Sequence, residues 1–298
     1  MSAVRAVERS SASPWQVAAD YLSLTKPTIV GLLVATALAA MVAAAHGRPP
    51  LLAAVAVVVG GGLAAGGAHA INCWYDRDID LRMSRTRRRP VPDGRIPARH
   101  ALAMGIVMNA VAFVVLWAWA NLLAASLALA ATLIYVFVYT IWLKRSTPQN
   151  IVIGGAAGAI PPLVGWAAVT GGLDLTAWSL FLVIFLWTPP HFWALAQLIA
   201  RDYRQADVPM MPVVTSASST KRQSVGYAVA TAAVSLVPYL TGDAGRFYLG
   251  GAVLLGVGLV ALSVLDLRGR RWTVPLFAYS IAYLAALFTI LAAGSLLT

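Results

Sequence analysis

Asn72, Asp76 and Asp80 recur at every fourth residue, so on a helix they share one face at roughly 6 Å per step. Asp78 then falls on the opposite face, as a surface charge or an arginine partner. Carboxylates at a helix C-terminus are disfavoured by the macrodipole. Three oxygen-bearing side chains stacked there call for a cation, and Mg²⁺ is typically held by one or two carboxylates together with substrate phosphates. The other reading is a solvated helix end paired with nearby arginines. The segment that follows holds Arg82, Arg85, Arg87, Arg88 and Arg89. Planar guanidinium forks suit phosphate oxygens, although such a run also serves as a topogenic or anionic-lipid signal. A second acidic group, Asp202 and Asp207, is interleaved with Arg201 and Arg204. Two clusters of this kind can clasp a diphosphate from opposite sides with one or two metal ions. Lys144 and Arg145 add positive charge to the same side.

These residues need elements to hold them, and composition says which kind. Of 298 residues 60% are hydrophobic and only 11% charged, with a mean hydropathy of +0.77. A soluble domain of this length keeps a more polar exterior. Apolar stretches long enough to cross a bilayer, about 20 residues each, lie near 28–46, 51–71, 101–119, 122–142, 151–169, 177–199, 226–240, 247–266 and 274–296. That predicts nine spans. The net charge of +11 would suggest nucleic acid in a soluble protein, yet its placement argues against that. Lys and Arg concentrate before the first span and after the second, fourth, sixth and eighth, and only Arg48 and Arg246 fall in the alternate connections. The positive-inside rule then predicts a cytoplasmic N-terminus and an external C-terminus. Both acidic clusters fall on the cytoplasmic side.

The single cysteine, Cys73, excludes a disulfide within the chain and a thiolate metal cluster. Residues 1–20 lack the apolar core of a signal peptide, so the first span is expected to direct insertion and residues 1–20 to form a flexible cytoplasmic tail. The whole chain, 1–298, reads as one integral-membrane domain, most simply in a bacterial plasma membrane. Connections at 77–99 and 200–223 are long, and long connections in a compact protein are usually functional or disordered. Pro161-Pro162 and Pro189-Pro190 predict broken or kinked spans, which are tolerated where they line a cavity.

The first acidic motif resembles that of the intramembrane prenyltransferases of the UbiA type: Asn72, Asp76 and Asp80 match N-x-x-x-D-x-x-x-D without a gap. Asp202 matches the leading aspartate of that family's second motif, and Asp207 stands where Gly or Asn is usual. The stretches at 24–27, 72–90, 139–171, 187–196 and 202–214 are similar to the branch of that family that acts on heme. This resemblance implies nine helices around a central cavity and a Mg²⁺-dependent reaction. In that reaction farnesyl diphosphate, heme B and water give heme O and diphosphate, with heme A synthase as a possible downstream partner. It implies Asn72, Asp76, Asp80 and Asp202 as the catalytic, metal-binding set, with Asp207 added as a metal candidate. Arg85, Arg89, Lys144 and Arg145 are diphosphate-binding candidates.

An allylic cation is also stabilised by aromatic faces, and Tyr75, Tyr139, Trp142, Trp187 and Trp193 lie near the relevant helix ends, as interfacial aromatics also do. His191, beside the Pro189-Pro190 pair on a helix expected to face the cavity, is the leading heme-binding candidate, followed by His69. Two rivals stay open. One is a sister prenyltransferase acting on a quinone-ring or chlorophyll-like precursor. The other is a transporter or a non-enzymatic heme-binding membrane protein, although a transporter is expected to carry polar groups at the bilayer midplane.

Overall fold

A computed structural model describes residues 13–296. Every regular element among them is helical. Helix α1, Pro14–Leu24, starts with a capping box in which Ser13 and Gln16 exchange hydrogen bonds. The expected tail is therefore helical from Pro14 onward, and its residues 1–12 lie outside the described part. Asp20 pairs with Arg95, and Tyr21 bonds His100 at 2.9 Å, which fastens α1 to the connection after the second span and to the start of the third.

The membrane-length helices are α2 (Pro27–Ala44), α3 (Leu51–Tyr75), α5 (Ala98–Trp119), α6 (Leu122–Ser146), α7 (Asn150–Thr170), α8 (Leu175–Leu198), α11 (Arg246–Leu267) and α12 (Arg270–Leu296). Short helices α4 (Arg77–Arg82) and α9 (Ala200–Gln205) follow α3 and α8. The predicted span at 226–240 falls in α10, Ala217–Val234, and the turn Val237–Leu240. The first turns of α10 carry Ser218, Ser219, Thr220, Lys221, Arg222 and Ser224. This helix is long enough but not apolar enough to count with the others, so eight helices meet the requirement among the described residues rather than nine.

Consecutive long helices pack side by side, and α12 returns to α2, closing a ring. Small residues allow the tightest approach. A methyl group on Gly67 of α3 would lie 2.8 Å from the Gly105 carbonyl oxygen of α5, closer than real side chains tolerate. One apolar core lies between α2, the second half of α7, α8 and α10–α12, and includes Leu163, Leu180, Leu259 and Leu284. The other joins α2, α3, α5, α6 and α7 through Met41, Val57, Leu116 and Val164.

The two proline pairs act differently. Helix α7 is interrupted at Ile160, and Pro161 starts its second half, where a missing N–H costs nothing. Helix α8 runs through Pro189 and Pro190 without a break, so the expected second interruption is not there. Both α3 and α6 widen to π-helical turns, at Val57–Gly61 and Ile134–Leu143. Such turns re-aim side chains and are frequent at functional sites.

Candidate active site

Helix α3 ends at Tyr75, and the chain continues through Asp76 into α4 without losing its register. The Asp76 N–H donates to Asn72 O at 2.9 Å and the Asp80 N–H to Asp76 O at 2.8 Å. Asn72, Asp76 and Asp80 therefore lie on one face, as their spacing predicts, and all three are buried. Four basic side chains converge on them, three from distant parts of the chain and Arg89 from the connection that follows. Lys26, which caps α2 from a left-handed conformation, donates to Asn72 Oδ1 at 2.9 Å. Asn72 Nδ2 in turn donates to Asp76 Oδ2 at 2.6 Å and to Thr140 Oγ1 at 3.1 Å. Lys144 is paired with Asp76. Arg89 donates to both oxygens of Asp80, at 2.9 and 3.1 Å. Arg145 lies 3.6 Å from Asp76 and grips Asp78 with two bonds of 2.7 Å while covering the Tyr75 ring. That grip holds the Asp78 carboxyl down at about 2, against the smaller opposing effect of partial burial.

Carboxylates at the end of α3 are thus stabilised by cations rather than left to oppose the helix dipole. A charge buried as deeply as Asp76 needs such partners, because desolvation alone costs several kcal/mol. One acceptor is still orphaned: Asp76 Oδ1 is buried and receives no hydrogen bond among the described residues. Burial also brings the Lys26 ammonium down to about 8.

The second cluster arrives differently. Asp202, at the start of α9, accepts from Ser84 Oγ at 2.8 Å and from the Arg85 N–H at 3.4 Å. It is buried and fixes the arginine-rich connection from beneath. Asp207 is not brought to this group. It sits at φ 55° with its side chain 82% exposed, paired with Arg82 at 3.1 Å on the surface. A left-handed backbone there suits Gly or Asn, the residue types the family resemblance puts at that position.

Beneath the charged end lies a cavity of about 400 Å³, within the range of ligand pockets. Its rim holds Lys26, Asn72, Asp80, Arg85, Arg89 and Lys144. From Asn72 it follows α3 back to Val57, about 22 Å of helix, between apolar walls from α2, α6, α7 and α8. Of the five aromatic candidates, the structure brings only Tyr139 to this cavity. Trp142 is 64% exposed, Tyr75 lies under Arg145, and Trp193 packs on Tyr227. Trp187 stacks on His191 outside the cavity. Tyr135, Phe192 and Tyr203 are lining residues that sequence reasoning missed, and Gly154 makes room for the Tyr139 ring. His69 is in the wall, bonded through Nδ1 to Tyr135 Oη at 3.1 Å. His191 is not in the cavity wall. The expectation that it faces this space fails because its side chain turns to α12, where Nδ1 meets Ser280 Oγ at 2.7 Å.

Lys26, Thr140 and Ser84 were also not singled out by sequence. Lys26 precedes Pro27 in a stretch similar to the family, the one signal that could have found it. No group of three or more His, Cys, Asp or Glu side chains is arranged as a metal cluster among the described residues. The donor set still suits Mg²⁺, which needs only one or two carboxylates when phosphate oxygens complete its shell. Asp76 carries the orphaned oxygen, Asn72 and Asp80 flank it, and all are hard oxygen donors.

A family model described as the UbiA prenyltransferase family matches residues 33–279. The chain is 52% identical over 277 residues to a protein named protoheme IX farnesyltransferase from Symbiobacterium thermophilum, covering 92% of this chain and 93% of that one. It is 51% identical over 276 residues to a protein of the same name from a Roseiflexus species, of which it spans 52%. The chain thus spans about half the length of several curated relatives and nearly all of others. Among solved structures, a digeranylgeranylglyceryl phosphate synthase superposes with a TM-score of 0.79 at 16% identity, covering 95% of this chain and 99% of that one. A UbiA homolog from Archaeoglobus fulgidus bound to GPP and Mg²⁺ superposes with a TM-score of 0.65 at 18% identity, covering 91% and 99%. At these identities the likeness is one of fold.

Proposed function

This chain belongs to the UbiA prenyltransferase family, and on that premise we propose that it transfers a farnesyl group from farnesyl diphosphate to a vinyl group of heme B, with addition of water, to give heme O and diphosphate. The observation that carries this reading is the junction of an elongated apolar cavity with a rim of four cations and two buried oxygen donors, Asn72 and Asp80, with the buried Asp76 carboxylate between them in sequence. The names of the relatives supply the acceptor.

The apolar walls from Val57 to Ala68 would bury the farnesyl chain and hold its first carbon under the charged rim. Lys144, Arg85 and Arg89 would bind the diphosphate, with Arg145 completing the charge behind Asp76. Guanidinium and ammonium groups fixed there stabilise charge as it develops on the leaving diphosphate, without reorganising at the moment of reaction. Asn72, Asp76 and Asp80 would hold Mg²⁺, with Asp202 at the edge of the set, and the ion would add positive charge at the departing phosphates. Asp207, on the surface with Arg82, would join only if its loop turned inward. Tyr139 presents a ring to the cavity close to the rim, where it can face an allylic cation. Phe192 adds a further apolar, aromatic surface. Apolar walls that keep water from the allylic cation would let it survive until the vinyl carbon attacks. The charged end would face the cytoplasm, the side to which the positive-inside rule assigns most of the Lys and Arg.

The test is a choice of acceptors. Purified protein in nanodiscs receives farnesyl diphosphate, Mg²⁺ and either heme B or 4-hydroxybenzoate, and products are separated and weighed by mass spectrometry. The expected outcome is a heme carrying one farnesyl group and one water. Prenylation of 4-hydroxybenzoate with heme B untouched would retain the diphosphate site and remove heme from the account.

A further inference from the structure

The reaction proposed above asks two opposite things of one cavity. Water has to be kept from the allylic cation, yet one water has to reach the cation formed next. When the terminal vinyl carbon gives its π electrons to the first farnesyl carbon, the bond from that carbon to the diphosphate oxygen breaks. Its electron pair leaves with the diphosphate, and the positive charge passes to the vinyl carbon attached to the porphyrin ring. That carbon lies about 2.5 Å from the farnesyl carbon, across two bonds of about 1.5 Å each. The water that adds there must therefore be held within about one helical turn of the charged rim, beside a group that takes its proton.

His69 meets both conditions. It lies three residues before Asn72 on α3, about 4.5 Å deeper along the helix, and its side chain lines the cavity. Its ring stands edge-on to Tyr135, with centroids 5.2 Å apart and planes at 84°, and Nδ1 meets Tyr135 Oη at 3.1 Å. Tyr135 is in turn stacked on Tyr139, at 5.5 Å and 26°. The rim carboxylates are engaged, Asp80 by Arg89 and Asp76 by Lys144, so neither is a free base. The hydroxyls of Thr132 and Thr188 donate to Asn109 Oδ1 at 2.7 Å and to the Ile184 carbonyl oxygen at 2.8 Å. Among the described residues that line the cavity, His69 carries the one imidazole.

We propose that His69, oriented by Tyr135, holds the water that adds to the ring-side vinyl carbon, and that His69 Nε2 takes its proton. In this arrangement Nδ1 keeps its hydrogen and donates it to Tyr135 Oη, which leaves the lone pair on Nε2. The water oxygen gives a lone pair to the carbon, one of its O–H bonds breaks, and the proton passes to Nε2. The products are then heme O, diphosphate and an imidazolium that returns its proton to solvent. This role rests on the heme acceptor proposed above and adds which side chains supply the hydroxyl group. Without a held water the second cation has another outlet. Loss of a proton from the adjoining CH₂ gives an alkene that is lighter than heme O by one water.

The experiment supplies farnesyl diphosphate, heme B and Mg²⁺ to the full chain in nanodiscs. Mass spectrometry counts heme O and the lighter alkene, and a phosphate assay counts the diphosphate released. Wild type should form one heme O per diphosphate. His69→Ala should form about 100-fold less heme O per diphosphate, with the alkene in its place, and added imidazole should restore part of the hydroxylated product. Tyr135→Phe removes only the oxygen that orients the ring, and should shift the ratio the same way by about tenfold, the worth of one hydrogen bond. If His69→Ala releases too little diphosphate to read, His69→Gln decides, because it keeps a hydrogen-bonding side chain without the basic nitrogen. A wild-type ratio in the variant that is read would overturn the role of His69 and leave the farnesylation of heme intact. Diphosphate release by wild type with no farnesylated heme of either mass would remove the heme acceptor itself.

Discussion

Gly158 offers a way to shorten the cavity without disturbing the charged rim. It lies on α7 and lines the cavity, and a Cβ built on it meets nothing within 4 Å. It stands about 10 Å further along the helix than Ile151, which packs with Ile79 and Tyr203 near the charged end. Gly158→Leu therefore places a leucyl side chain in open space inside a cavity of about 400 Å³. At about 0.8 kcal/mol per buried CH₂, displacing one five-carbon unit forfeits about 4 kcal/mol, close to a thousand-fold. Partial rearrangement of the chain reduces this, so kcat/KM for farnesyl diphosphate should fall roughly 100- to 1,000-fold. Geranyl diphosphate, one unit shorter, should lose less than about tenfold, because its chain stops before the obstruction. The assay is release of diphosphate with each donor at saturating heme. Equal losses with both donors, or none with farnesyl diphosphate, would show that the prenyl chain does not run along α7.

Further outcomes follow from other contacts. Asp266→Ala removes the carboxylate that pairs with the buried Lys221 ammonium and accepts from Thr273 Oγ1, in a network joining α10, α11 and α12, and leaves Lys221 only the backbone carbonyl at 266. Thermal unfolding in detergent should show a loss of about 3–5 kcal/mol, with activity per folded molecule unchanged. Arg89→Lys keeps the charge but not the planar group that donates to both oxygens of Asp80; steady-state kinetics should show a loss of at least about tenfold in kcat/KM, where a mere charge effect would leave it near wild type. The Asp78 carboxyl, lowered to about 2 by Arg145, contributes stability that is present in full above its unfolded value near 4 and is lost as pH falls through 2. With 53% of that side chain exposed the effect is screened, so melting curves of wild type and Asp78→Asn should differ slightly at neutral pH and converge in acid.

Much of the membrane architecture was legible because a bilayer imposes a length and an apolar composition on each span. Where those signals weaken, the reading weakens with them: α10 opens with a run of Ser, Thr, Lys and Arg, and it does not meet the composition of a spanning helix. The register of Asn72, Asp76 and Asp80 was readable from spacing alone, and so was the placement of Asp78 toward an arginine. What spacing could not tell is which distant side chains arrive at that face. Lys26 reaches Asn72 across 46 residues of sequence and Thr140 across 68. Tyr135 and Tyr139 stack within an apolar span, where the sequence reads only as hydrophobic. The direction of His191 depended on a serine in the last helix, 89 residues away. Pro189 and Pro190 mark an expected break that α8 does not make.

The most direct measurement is a paired one, diphosphate released and farnesylated heme formed, in the same reaction with Mg²⁺, with EDTA in its place, and with Asp76→Asn. The account predicts equal amounts of the two products in the first and neither in the other two. Undiminished farnesylation by Asp76→Asn, or in EDTA, would contradict the assignment of the buried carboxylates at the α3–α4 junction to a metal–diphosphate site.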